Sequence, residues 1–145
     1  MDLQAMSDKL EINELLARYA RGVDSKDWKL WRSVFLPDAT LDYSSVGIPV
    51  GSRDEVGAIF EEGLKVVPMT QHFISNVEVE LDGDRAKVRA LFYNPMQLPG
   101  MAQLSYCGGY YVHDVVRTQD GWKSERLVEH NEWFVNRPGD TRKGA

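Results

Sequence analysis

The sequence predicts an α+β fold: three N-terminal helices packed on a strongly curved, mostly antiparallel sheet, with a conical cavity between the two layers. Two observations carry this. Up to about residue 65 apolar side chains recur at helical spacing, and from residue 69 onward the period changes to two. Helices first and a run of strands after is the α+β order. The strands are also long, roughly 12 residues against the usual five or six, and long antiparallel strands twist and coil. Helices laid on one face of such a sheet leave a cone-shaped space.

Each element has its own signal. Residues 8–23 carry Ile12, Leu15, Leu16, Tyr19, Ala20 and Val23 on one helical stripe, with Ser7 or Asp8 as the expected cap. A short helix over 25–35 turns Trp28, Leu30, Trp31, Val34 and Phe35 to its apolar side. Leu36-Pro37 ends it, because the residue before a proline avoids helical geometry. Residues 39–44 predict a short strand, and Gly47, Pro49 and Gly51 a loop. Ser52 to Glu55 has the capping-box pattern and opens a third helix to about Lys65, with Val56, Ile59, Phe60 and Leu64 inward. Strands are predicted from Thr70 to Leu81, Arg85 to Met96, Gln103 to Arg117 and Trp122 to Phe134, with turns at Asp82-Gly83-Asp84 and Gln119-Asp120-Gly121. In the first of these the apolar parity flips near Asn76, which predicts a β-bulge.

With 145 residues, 43% hydrophobic and 27% charged, the chain reads as one globular domain over 1–145. Residues 5–135 form the expected ordered core and the polar segment 136–145 a flexible tail. A chain of this size hides ~70% of its unfolded surface, enough for a core and an internal pocket. There are 17 basic residues against 22 acidic, a net charge of −5, and the basic residues are scattered. That argues against nucleic acid and anionic membranes as partners. No apolar run approaches the ~18 residues that span a bilayer. The acidic N-terminus lacks the basic and apolar regions of a secretion signal, and Cys107 is the sole cysteine, so a reducing cytoplasm is the expected compartment.

Few residues stand out as chemistry. Asp24 sits at the edge of the first stripe, where it either caps the next helix or turns toward the interior. His72 shares a strand face with Ile74; a histidine there is either a hydrogen-bonded structural residue or a general base. Tyr19, Tyr43 and Tyr111 could supply phenol donors in a pocket or simply pack. Phe92, Asn94 and Met96 alternate on one face, and Gly109 would leave room for a ligand beside Tyr111. Gly108-Gly109 precedes no helix, so no phosphate loop is present, and the three histidines lack metal-ligand spacing.

Taken together, Val23 to Trp28, Leu41-Asp42-Tyr43, Thr70 to Ile74 and the strand and turn from Gly109 to Trp122 resemble the nuclear transport factor 2-like superfamily, in particular its SnoaL-like branch. That branch includes scytalone dehydratase, bile acid 7α-dehydratase and a dehydrochlorinase. The resemblance implies a cone-shaped α+β barrel and places the catalytic aspartate of those lyases on Asp24. It places their histidine on His72 and pocket tyrosines on Tyr19 and Tyr43. It implies a cofactor-independent lyase of dehydratase type, removing a proton with a His-Asp dyad and eliminating water from a hydrophobic cyclic or aromatic hydroxy compound. An isomerase, a carbon–carbon lyase using the same base, or a non-catalytic small-molecule binder are the alternatives. The expected substrate contacts are Trp31, Ile74, Asn76, Phe92, Met96 and Tyr111, with His113 and Arg137 undecided and no metal. The outer face of the long strand, with Tyr106, Tyr110, Val112 and Val116, is apolar enough to predict a homo-dimer or homo-trimer.

Overall fold

A computed structural model describes residues 1–139. Helix α1 spans Leu3–Asp24, α2 Trp28–Ser33 and α3 Arg53–Gly63. The strands are β1 Phe35–Asp42, β2 Gly51–Ser52, β3 Met69–Thr70, β4 Phe73–Asp82, β5 Arg85–Gln97, β6 Ser105–Thr118 and β7 Gly121–Val135. They form one sheet in the order β2-β1-β7-β6-β5-β3, with β4 also on β5. β1 runs parallel to β7 and the other pairs are antiparallel. The sheet is curved but open, so the expected barrel is not closed. The core lies between helices and sheet, around Ile12, Leu15, Trp31, Leu41, Tyr111 and Leu127.

Several boundaries differ from the sequence expectation, each for a physical reason. α1 starts at Leu3 because Asp2 caps it, its Oδ1 accepting from the Ala5 N–H at 2.8 Å. Asp8 is buried inside the helix instead: its carboxylate accepts from both Arg117 Nη atoms at 2.8 and 2.9 Å and from the Trp122 indole N–H at 3.2 Å. That guanidinium holds the carboxyl down at about 2. α2 is capped by Asp27, which accepts from Leu30 N–H at 3.0 Å, not by Asp24 or Ser25. β1 runs straight through Pro37, since its register on β7 is interrupted between Phe35 and Thr40 and no ladder donor is needed there. The Ser52–Glu55 capping box forms as its sequence requires. Ile59, expected inward, is 42% exposed, while Gly57 takes the buried position against the Trp31 ring.

The predicted 70–81 strand is two pieces. β3 pairs Thr70 with Met96, the Gln71 N–H still donates to the Pro95 carbonyl of β5 at 3.0 Å, His72 turns out of the ladder, and β4 resumes at Phe73. The parity flip near Asn76 is a bulge: Asn76 has φ +52 and the register slips between Ser75 and Glu78. β6 and β7 carry two further slips, at Gly108/Gly109 and at Asp114/Val115. At the first, a Cβ on Gly109 would lie 1.9 Å from the His130 carbonyl oxygen. Gly109 is thus required by the crossing strands and makes no space for a ligand.

Candidate active site

α1 delivers Asp24 at its last residue, facing the interruption between β3 and β4. Because His72 is out of the ladder, its backbone N–H is free to leave the sheet, and it donates to Asp24 Oδ2 at 2.8 Å. Thr70 Oγ1 donates to Asp24 Oδ1 at 2.9 Å, and His72 Nδ1 lies 2.6 Å from the same oxygen. A carboxylate only accepts, so Nδ1 carries the hydrogen and the lone pair is on Nε2, at the far edge of the ring. The His72 side chain is 10% exposed and that of Asp24 22%. Lys26, at φ +55, donates from Nζ to the Val67 carbonyl at 2.6 Å and ties this corner to the chain leading into β3.

His72 divides two concavities. Outside lies an open cleft of about 640 Å³ bordered by Asp24, Arg21, Ile74 and Val77. Inside lies a pocket of about 150 Å³ between helices and sheet. Tyr19, Tyr43 and Tyr111 form its deep wall, with Asn94, Met96 and Glu129 beside them. The Tyr19 and Tyr43 hydroxyls hydrogen-bond to each other, and the Tyr19 and Tyr111 rings meet edge to face at 5.2 Å. All three phenols are fully desolvated, which pushes their pKa values well above the usual 10 and keeps them neutral donors. One hydrogen bond within the Tyr19–Tyr43 pair uses one hydroxyl hydrogen, so the other is available to a ligand.

Glu129 is the residue that sequence reasoning missed. It is 8% exposed, and burial pushes its carboxyl up to about 7, partly offset by the Ser45 hydroxyl donating to Oε1 at 3.2 Å. Its signal is hidden by the register slip opposite Asp114/Val115: Trp122 and Ser124 point inward, and then Leu127 and Glu129 do, so a strict alternation puts Glu129 outside.

Of the residues singled out from sequence, Asp24 and His72 come together, and Tyr19, Tyr43, Met96 and Tyr111 share the inner pocket with His72. Four do not reach that pocket. Trp31 is fully buried behind it, its ring 4.9 Å from Phe35 and 5.7 Å from Phe60. Phe92 backs Tyr111, stacked at 4.6 Å. Ile74 borders the outer cleft, and Asn76 is exposed in the bulge. His113 is a core residue: burial lowers its pKa to about 3, and its Nδ1 meets Ser124 Oγ at 2.9 Å. Arg137 lies over the Phe134 ring, 4.9 Å from its centroid, away from the pocket lining. Among the described residues no group of three or more His, Cys, Asp or Glu is arranged to hold a metal ion.

Comparison with known proteins gives a consistent picture. A family model for the SnoaL-like domain matches residues 4–128. An uncharacterized protein of Mycobacterium tuberculosis is 35% identical over 130 residues, spanning 89% of this chain and 88% of its own. A solved structure from Kribbella flavida superimposes with a TM-score of 0.83 at 29% identity, over 91% of this chain and 95% of that one. A scytalone dehydratase candidate from Novosphingobium aromaticivorans superimposes equally well, with a TM-score of 0.83, at 17% identity over 92% and 89% of the two chains.

Proposed function

The chain belongs to the SnoaL-like domain family, and from that premise we propose that it is a cofactor-independent lyase of dehydratase type. The observation that carries this is a histidine whose Nδ1 is engaged by a buried-edge carboxylate and whose ring borders a pocket walled by neutral phenols. His72 Nε2 removes a proton from carbon next to a carbonyl. Asp24 fixes the tautomer and stabilises the imidazolium that forms. The free hydroxyl of the Tyr19–Tyr43 pair hydrogen-bonds the carbonyl oxygen as it gains negative charge, and the β-hydroxyl departs as water. The dehydratase candidate of the same fold supports this class of chemistry.

Pocket size narrows the substrate. A cavity of ~150 Å³ lined by apolar groups accommodates one benzene-sized ring, and the inner pocket here is about 150 Å³. The substrate is a single-ring β-hydroxyketone or its aromatic equivalent, with Met96 and Tyr111 against the ring. The experiment is conversion of 3-hydroxycyclohexanone to the enone, followed by absorbance. Wild type is expected to turn over, and His72→Ala to lose ~10²–10⁴-fold in kcat/KM while melting near wild type. An equally active, folded His72→Ala protein contradicts the assignment.

The same proposal includes a cytoplasmic homo-oligomer. No helix of the described residues is long and apolar enough to cross a membrane. On the sheet's outer face Phe73, Tyr93 and Trp133 are 50%, 42% and 42% exposed, and the Tyr93 ring meets both of the others. Tyr110, by contrast, is covered by His130 and by Arg89. The exposed aromatic cluster supports pairing of copies through this face. Light scattering is expected to give a multiple of the 16.5 kDa chain mass; a monomer mass at micromolar concentration contradicts it.

A further inference from the structure

Removing a proton is half of a dehydration. Hydroxide is a poor leaving group, and the departing oxygen needs a proton in the transition state. Neutral phenols can supply hydrogen bonds, but Tyr19 and Tyr43 are already committed to each other and to the carbonyl, and burial holds all three phenols, Tyr111 included, well above 10, too weakly acidic to give up a proton at neutral pH. One other acid opens on the pocket. Glu129 is the direct cross-strand partner of Tyr111, and on its other side Val128 pairs with Asp42, which places Tyr43 next to it. Ser45 engages Oε1, and Glu129 lines the pocket with no other protein hydrogen bond to its carboxyl among the described residues. His72 follows β3, and the sheet order β3-β5-β6-β7 sets two strands between β3 and the strand that carries Glu129. Base and carboxyl therefore reach one pocket of about 150 Å³ from different strands, with two strands between them in the sheet.

We infer that Glu129 is the general acid of the site, donating the proton that converts the leaving hydroxyl to water. The assignment rests on the lyase function proposed above. The balance is complete. The C–H electron pair becomes the new C=C bond as the proton passes to His72 Nε2. The C–O bond breaks and the oxygen takes the Glu129 proton. Water leaves, and the protein is left with a Glu129 carboxylate and a His72 imidazolium. Exchange with solvent restores both. A carboxyl that burial pushes up to about 7 keeps a protonated form at neutral pH, where an ordinary glutamate does not. The groups facing it are Tyr19 from α1, Tyr43 at the end of β1, Tyr111 and Cys107 from β6, Ser45 from the loop after β1 and His72 across the pocket. Burial is what chiefly raises the pKa of Tyr19, Tyr43, Tyr111 and Cys107, and the Glu129 charge adds to it.

The test compares leaving groups. Chloride departs without a proton and hydroxide does not, so 3-hydroxycyclohexanone and 3-chlorocyclohexanone separate the acid from the base. Glu129→Gln is expected to lower the hydroxyl-to-chloride ratio of kcat/KM by ~10²–10⁴-fold, background subtracted. Wild-type dehydration should fall as pH rises through about 7, and this alkaline limb should vanish in Glu129→Gln. Ser45→Ala removes the hydrogen bond that lowers the Glu129 pKa, so it should move the limb to higher pH; it carries the test should Glu129→Gln fail to fold. An unchanged ratio with active wild type overturns Glu129 alone and leaves the lyase intact. If wild type eliminates neither leaving group, the lyase proposal fails and the acid assignment fails with it.

Discussion

Asp24 and Asp27 lie at the same helix junction and have separate tasks. Asp27 satisfies the backbone of α2, and Asp24 is left free to accept three hydrogen bonds from Thr70 and His72. Asp27→Ala should therefore cost about 1 kcal/mol of stability and leave turnover intact. Asp24→Asn should keep most of the geometry yet lose ~10²–10⁴-fold in kcat/KM, because the amide replaces one acceptor oxygen by a donor and removes the charge behind the imidazolium. Thermal melts and kinetics on the two variants check this; a reversal of the pattern contradicts it. At this scale the sequence was informative where a residue type is rare and its setting simple. His72, Asp24 and the tyrosines could be named from spacing and resemblance. Trp31 could not be separated from the pocket wall, because a buried aromatic behind a cavity has the same helical phase as one lining it.

The elements owe their shape to a few irregular positions. Beside the slip between β1 and β7, three register slips in the antiparallel part bend the sheet, and each moves side chains from one face to the other. The slip at Asn76 was legible because the apolar residues on both sides of it betray the flip. The slip near Ser124 was not, since the residues around it, Lys123 to Arg126, are mostly polar and carry no parity of their own. That is why Glu129 reads as a surface residue. The β3–β4 interruption was likewise invisible: Gln71 and His72 are ordinary strand residues, and the departure of His72 is set by Asp24 on a different element. Adjacent glycines on β6 provide a test of this geometry. A Cβ on Gly109 meets backbone at 1.9 Å, so Gly109→Ala should destabilise by at least ~1–3 kcal/mol. A Cβ on Gly108 meets the Trp133 indole at 2.2 Å, but Trp133 is 42% exposed and can swing aside. Gly108→Ala should cost ~1 kcal/mol or less and change the tryptophan emission. Unfolding curves that rank the two the other way contradict the packing described.

In the whole molecule, α1 and the sheet meet at two points with opposite roles. Near its start Asp8 locks α1 to Arg117 and Trp122, and at its end Asp24 holds His72 at the pocket mouth. The fold class followed from the change of period along the chain, whereas the open edge, the parallel β1–β7 pair and the position of the pocket depend on contacts between distant segments. The central claim is that His72 is a base acting on a carbon acid inside that pocket. Hydrogen exchange tests it without any leaving group: cyclohexanone in deuterated buffer, with α-hydrogen loss followed by NMR. Wild type should speed exchange over His72→Ala by ~10²-fold or more. Equal exchange rates for the two proteins, both folded, would contradict the claim.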